Sequence, residues 1–207
     1  MQVTLIDSMG DDMTPVKSAR VSYNWDKKEY KDEQNKALLI RLMKEAHYGT
    51  LEHNIFSFML EVAIPVARQI MRHRTFSYNE ASRRYLDDKH TPFEFETPGI
   101  RGDKNKEIDD NWRYNKLFSE VYVTAIEKYH ELINMGVAKE IARYVIPQGM
   151  MTRFVMTGNL RNWLHFLELR LSEHAQKEIR EVAEDIKKQI TAKVPLIMEA
   201  YNHTKEY

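Results

Sequence analysis

The sequence predicts an α+β fold, a helix-rich single domain over residues 1–207 with a small, mostly antiparallel sheet. Three observations carry this expectation. Apolar residues recur mostly at helical spacing, stretches of period two are few, and the two kinds do not alternate regularly as in a doubly wound sheet. The 207 residues suit one domain, and the 43% hydrophobic content is enough for a sizeable core.

Residues 2–7 alternate weakly and read as an opening strand. Asp12 to Tyr23 has a helical pattern with Pro15 near its first turn. In the helix from Asp32 to Ala46, Leu38, Leu39, Leu42, Met43 and Ala46 form one apolar stripe, Asp32 is the candidate cap and Gly49 closes it off. Residues 55–64 place Phe56, Phe58, Leu60, Val62 and Ile64 at period two, the clearest strand in the chain. Pro65 suits a first helical position, so 66–74 reads as a helix. Residues 86–108, rich in Pro, Gly, Asp and Lys, read as a long surface loop.

Asp109 to Met135 is the longest helix. Its buried stripe is read as Phe118, Val121, Tyr122, Ala125, Ile126, Tyr129, Leu132 and Ile133, and Gly136 stops it. A short helix spans Ala138 to Val145, ahead of Pro147, and 150–157 reads as a strand. Helices follow over Leu160 to Arg170 and Ala175 to Ala200, the latter interrupted or bent near Pro195.

Lys plus Arg and Asp plus Glu number 31 each, so no global field draws nucleic acid and an anionic partner needs a local cluster. No apolar run has membrane-spanning length and no signal-peptide pattern opens the chain, which predicts a cytoplasmic protein without membrane partners. Cysteine is absent, which excludes disulfides, thiolate metal sites and a cysteine nucleophile.

The most unusual stretch runs from Arg72 to Tyr85. Arg72, His73, Arg74, Arg83 and Arg84 fall among Thr75, Ser77, Asn79 and Ser82. Guanidinium forks match phosphate geometry, and hydroxyls and amides add donors without charge, as a nucleotide requires. On a helix over 66–74, Gln69 would share a face with Arg72 and His73. The plainer reading is that these arginines complement a helix C-terminus or pair with Glu61 or Asp87. A second cluster holds Arg143, Asn159, Arg161, His165 and Arg170. Arg161 and His165 share a helix face while Arg170 projects nearly opposite, so the helix ends early or the faces serve different ligands. A third is His47 to His53, where Glu52 and His53 resemble a catalytic or metal pair; the plainer reading is a cap-and-turn segment. No metal-binding pattern supports them, and no metal site is expected. Glycine-rich nucleotide loops and a nucleophile elbow are also absent. A nucleic-acid module using Arg72, Arg74, Arg83 and Arg84 with a stacking aromatic is the rival from another class; zero net charge weighs against it.

Arg72-His73-Arg74, seven residues and then Ser82 resembles the signature of flavin-dependent thymidylate synthases, and Arg84-Tyr85 extends the match. Ala19 to Tyr23, Leu51-Glu52-His53 with Phe56, Val66 to Gln69, Arg143 before Pro147, and Asn159, Arg161, Phe166, Leu169-Arg170 and Ala175-Gln176 are similar to further family segments. The resemblance implies methylation of dUMP to dTMP, with 5,10-methylenetetrahydrofolate as one-carbon donor and FAD reduced by NADPH. It implies a homotetramer with active sites shared between subunits, which would let Arg161 and Arg170 serve different ligands.

Residue by residue, it implies FAD contacts from Ser22, His47, Glu52, Arg72, His73, Arg74, Thr75, Asn159, Arg161 and His165. It implies dUMP contacts from Gln69, Arg72, Glu80, Ser82, Arg84, Arg143 and Arg170. Ser82, Arg84 and Arg143 suit the phosphate, and Arg170 suits the uracil as the catalytic residue. The chain departs from the family pattern at Gly49, where relatives carry a hydroxyl, and at His165, which is Asn in some relatives. A thiol-free chain cannot activate the pyrimidine through a cysteine adduct, and a flavin route fits that limit.

Overall fold

The computed structural model describes residues 1–21, 31–86, 92–102 and 108–203. The strands are β1 (Gln2–Met9), β2 (Ile55–Ala63), β3 (Ser77–Glu80) and β4 (Met151–Asn159). The helices are α1 (Thr14–Ala19), α2 (Asp32–Lys44), α3 (Ile64–Ile70), α4 (Asn111–Asn134), α5 (Lys139–Ala142), α6 (Leu160–Arg170), α7 (Lys177–Lys193) and α8 (Pro195–His203). Helices predominate, and the four strands form one small antiparallel sheet in the order β1-β2-β4-β3, as the sequence pattern predicts.

Two compact units divide the chain. One holds Met1, Glu61–Met71 and Asn79–Phe154; the other holds Gln2–Leu60, Arg72–Tyr78 and Val155–Tyr207.

In the second unit the core is aromatic and aliphatic. Phe56, Phe58 and Leu60 alternate along β2, all fully buried, while Trp163, Phe166 and Leu167 supply α6. Phe58 meets Trp163 edge-to-face at 5.0 Å. The Trp163 indole N–H donates to the Phe56 and Gly158 carbonyls at 3.3 and 3.1 Å, so its one polar atom is satisfied inside the core. α7 is a strongly amphipathic helix burying Ile179, Val182, Ala183, Ile186 and Ile190. Its Gln189 side chain accepts from Leu5 N–H at 2.8 Å and donates to the Val3 carbonyl at 3.0 Å, which covers the outer edge of β1. Of the interruption or bend expected near Pro195, the structure shows the interruption: α7 ends at Lys193 and Pro195 starts α8.

In the first unit α4 buries Tyr122, Ala125 and Tyr129, a stripe at i, i+3, i+7. Val121 was expected in that stripe but is 55% exposed, because it falls one residue off the repeat. Gly136, at φ +86°, ends the helix through Gly136 N–H to Ile133 O and Val137 N–H to Leu132 O, as read from the sequence. The stretch read as a surface loop over 86–108 lies partly outside the described residues. Its Phe95 stacks on Tyr122 at 4.3 Å and Phe93 meets Tyr129 at 4.9 Å. Glu96 N–H and Met151 N–H bond to the Gly149 and Glu94 carbonyls, so this part is anchored where its polar composition suggested solvent.

Several boundaries differ from the sequence reading. The helix predicted over 66–74 stops at Ile70, so Gln69 does not share a helical face with Arg72 and His73. Past that end His73 is buried rather than displayed along a helix. Lys31, not Asp32, caps α2, with its N–H donating to Gln34 at 3.1 Å. Gly49 does not end α2. Ala46 does so at φ +55°, with His47 N–H on Leu42 O and Ala46 N–H on Met43 O. β3 was not foreseen: four mostly exposed polar residues carry too little periodicity, and pairing alone identifies them as an edge strand. The predicted first helix is confined to Thr14–Ala19 in the described residues.

Candidate active site

The signature stretch sorts into anchors and displayed groups. His73 and Phe76 are 8% exposed each, whereas Arg72, Arg74, Thr75 and Ser77 are exposed. The anchors are held within the second unit. Phe76 packs against Trp163 at 4.6 Å and sits so close to Gly158 that a Cβ there would fall 2.4 Å from its ring. His73 meets Phe166 edge-to-face at 4.8 Å. Asn162 Nδ2 donates to the Thr75 carbonyl at 3.0 Å, and Tyr78 OH donates to the His73 carbonyl at 2.9 Å. Burial pushes the Tyr78 phenol up to about 12, so it remains a donor at neutral pH. Two cations and two hydroxyls are thereby displayed from a backbone locked onto α6.

Arg170 ends α6, which stays regular to that residue. Its Nε donates to His73 Nε2 at 2.9 Å. Burial, then the charges of Arg170 and His165, lower the His73 imidazole to about 4. Arg170 is itself lowered, by burial first and by Arg72 second. The His165 ring stands 6.5 Å from the His73 ring, so Arg170 and His165 both approach the same imidazole. A folded value below the ordinary 6.5 means the unfolded chain binds more protons as pH falls. The stability from neutral His73 is therefore complete above that value and is lost as pH drops through about 4. Urea midpoints are expected to fall more steeply between about pH 7 and pH 4.5 for the wild type than for His73→Gln, which carries no titrating group. Parallel curves would assign the acid sensitivity elsewhere.

Arg161 pairs with Glu52 at 2.5 Å. Both side chains are about half exposed, so the pair adds little stability and orients two polar groups at the surface. Asn159 caps α6 by accepting from Asn162 N–H at 3.0 Å. His47 is exposed, with Nδ1 3.8 Å from Glu45. Ser22 lies outside the described residues. The chemistry of this set fits FAD. Displayed guanidinium and hydroxyl groups suit a diphosphate. Among the described residues no group of three or more His, Asp or Glu is placed to hold a metal ion.

The first unit contains a cavity of about 690 Å³. Glu80, Ser82 and Arg143 line it, together with Arg68, Thr152 and Arg153. Thr152 Oγ1, on a buried side chain, donates to Glu80 Oε1 at 2.6 Å and fixes that carboxylate. Arg153 pairs with Glu61 at 2.6 Å. Arg143 Nε donates to the Glu140 carbonyl at 3.2 Å, and Arg84 pairs with the Glu140 carboxylate at 3.0 Å. Ser82 Oγ accepts from Arg84 N–H at 3.3 Å, a turn that brings both residues to one bend. Gln69 lies on α3, partly buried, outside the lining of the cavity. The volume and the mixture of cations, a carboxylate and a hydroxyl suit a nucleoside monophosphate.

Sequence reasoning overlooked Asn162, Thr152 and Arg153, and took Trp163 only as core. Asn162 and Thr152 hold site residues through single side-chain hydrogen bonds, and neither spacing nor composition reports such pairs.

A helix-rich α+β protein with a nucleotide-sized cavity lined by Arg68, Arg83, Arg143 and Arg153 has the features of a nucleotide-handling enzyme. A family model described as thymidylate synthase complementing protein matches residues 4–196, and the chain belongs to that family. The flavin-dependent thymidylate synthase of Thermotoga neapolitana is 38% identical over 199 residues, covering 96% of this chain and 89% of that protein. The enzyme of the same name from Thermosipho africanus is 40% identical, covering 95% and 89%. Among solved structures, the UMP/dUMP methylase PolB from Streptomyces cacaoi, bound with 5-Br dUMP, superposes with a TM-score of 0.84 at 31% identity. That match covers 98% of this chain and 94% of the other.

Proposed function

We propose that this chain is a flavin-dependent thymidylate synthase that methylates dUMP to dTMP, with 5,10-methylenetetrahydrofolate as one-carbon donor and residues 1–207 acting as one catalytic domain. The observation that carries the reading is the docked signature loop, which displays Arg72 and Arg74 while His73 holds the guanidinium of Arg170. When bound, FAD reduced by NADPH supplies the hydride.

The chain's own residues bind, orient and stabilise charge. Ser82, Arg84 and Arg143 take the dUMP phosphate, while Gln69, Arg72 and Glu80 take the nucleoside. Arg170 faces the uracil, where a fixed cation stabilises negative charge as it develops on the ring. Arg72, His73, Arg74, Thr75, Asn159, Arg161 and His165 hold FAD, with Ser22, His47 and Glu52. The absence of cysteine from all 207 residues leaves no thiolate to attack the pyrimidine.

The protein works as a cytoplasmic homotetramer whose subunits share each site. Exposed apolar side chains such as Trp112 at 72% and Tyr144 at 82% support burial against further copies. Among the described residues no helix is long and apolar enough to cross a membrane.

The purified protein is expected to show a flavin absorption spectrum that bleaches with NADPH, faster when dUMP is present. FAD-loaded protein that yields no dTMP from the complete substrate mixture would overturn the reading. Ser82→Ala is expected to weaken dUMP binding by roughly tenfold, the order of one hydrogen bond to a charged group, and to leave FAD content unchanged. Calorimetric titration with dUMP checks this, and an unaltered affinity removes Ser82 from the site.

A further inference from the structure

We infer that His73 is the positioning residue for Arg170: a neutral imidazole, protonated on Nδ1, whose Nε2 lone pair aims the guanidinium through its Nε–H. The inference rests on the proposal that Arg170 faces the pyrimidine, and it gives the signature histidine a task of its own beside the flavin.

The Nε of an arginine carries a hydrogen and no lone pair for acceptance, so it can only donate. At 2.9 Å its partner, His73 Nε2, must accept. A neutral imidazole that accepts at Nε2 carries its proton on Nδ1. A bond to Nε constrains more than a bond to a terminal nitrogen. It fixes the plane of the guanidinium and with it the directions of both terminal groups, which are what a planar pyrimidine reads.

The ring is in no position to turn away. It is 8% exposed, packed edge-to-face on Phe166 at 4.8 Å and set 6.5 Å from Phe76. Its own carbonyl accepts from Tyr78 OH at 2.9 Å, so backbone and ring are both held. The charged and titratable groups facing it are Arg170 and His165 from α6, while Arg72 acts on Arg170 and Tyr78 binds the His73 carbonyl. A proton on Nε2 would remove the acceptor and place a further positive charge against Arg170. The lowering to about 4 agrees with this: the acceptor survives through the working pH range of most cytoplasmic enzymes.

Two independent measurements test the proposal. Long-range proton–nitrogen correlation spectra of protein with ¹⁵N-labelled histidine, assigned by comparison with His73→Gln, read the tautomer directly. The expected result is an Nδ1-protonated, Nε2-bare imidazole that does not titrate from about pH 8 to pH 5. An Nε2-protonated ring, or ordinary titration in that range, overturns the inference whatever reaction the protein catalyses. The second measurement is kinetic. His73→Phe keeps the ring packing and removes the acceptor; His73→Gln can place Oε1 where Nε2 stood. His73→Phe is expected to lose roughly 10- to 100-fold in kcat, and His73→Gln to recover most of that loss. Equal impairment of the two variants, or wild-type turnover in His73→Phe, overturns the positioning role. A wild type that forms no dTMP sinks the proposed function instead and leaves the spectroscopic result standing on its own.

Discussion

Arg170→Lys is expected to lower kcat for dTMP formation by roughly 100-fold or more, with the protein folded and loaded with FAD. The substitution keeps one positive charge. It removes the planar fork and the Nε–H that His73 Nε2 accepts. A lysine ammonium is a point charge on a flexible stem, so it neither holds the imidazole bond in the same place nor offers paired donors to a flat ring. The half-buried setting that lowers the Arg170 pKa would weigh more heavily on an ammonium, which loses its proton far more readily. The loss should therefore ease as pH falls toward neutrality from the alkaline side, where the lysine regains its charge. Steady-state rates at several pH values, alongside dUMP affinity and FAD content, are the check. Turnover near that of the wild type with normal dUMP affinity would deny Arg170 its catalytic role.

Trp163→Ala should cost about 3–5 kcal/mol of folding stability, the range for truncating a buried aromatic. The indole is fully buried and touches Phe58, Phe76 and Phe166 at ring separations of 5.0, 4.6 and 5.7 Å. Its removal leaves a void and strips a donor from the Phe56 and Gly158 carbonyls. Phe76 is the anchor of the signature loop, so the same variant should retain less FAD than its folded fraction predicts. Urea denaturation at fixed protein concentration measures the first effect, and bound flavin per folded subunit the second. A loss under about 1 kcal/mol would show that the core closes around the missing ring.

Much of this molecule was legible before any coordinates. The period-two run of 55–64 is β2, the Gly136 stop is a helix end, and the last helical stretch is interrupted at Pro195. These features are local: a pleat, a left-handed glycine and a missing N–H act within a few residues of themselves. The R-H-R stretch was legible as chemistry because its density of guanidinium groups is visible in composition alone.

Its geometry was not legible. The sequence suggested a helix through Arg74 that would align Gln69, Arg72 and His73, and the helix stops at Ile70. Helical periodicity cannot foresee that His73 is worth more buried against Phe166 than continued along the helix, because Phe166 lies on a distant helix. The opposed faces of α6 posed a similar question. Arg170 and His165 differ in angle around the helix, yet His73 meets both from the side where its loop docks. By itself, then, the sequence determined the helix and strand types, the thiol-free route and the cationic signature, since each depends on residue identity and short-range spacing. Only the tertiary structure decided which signature residues anchor and which are displayed. It alone set the protonated nitrogen of His73 and put Thr152 behind Glu80, because these depend on burial and on single contacts between residues far apart in the chain.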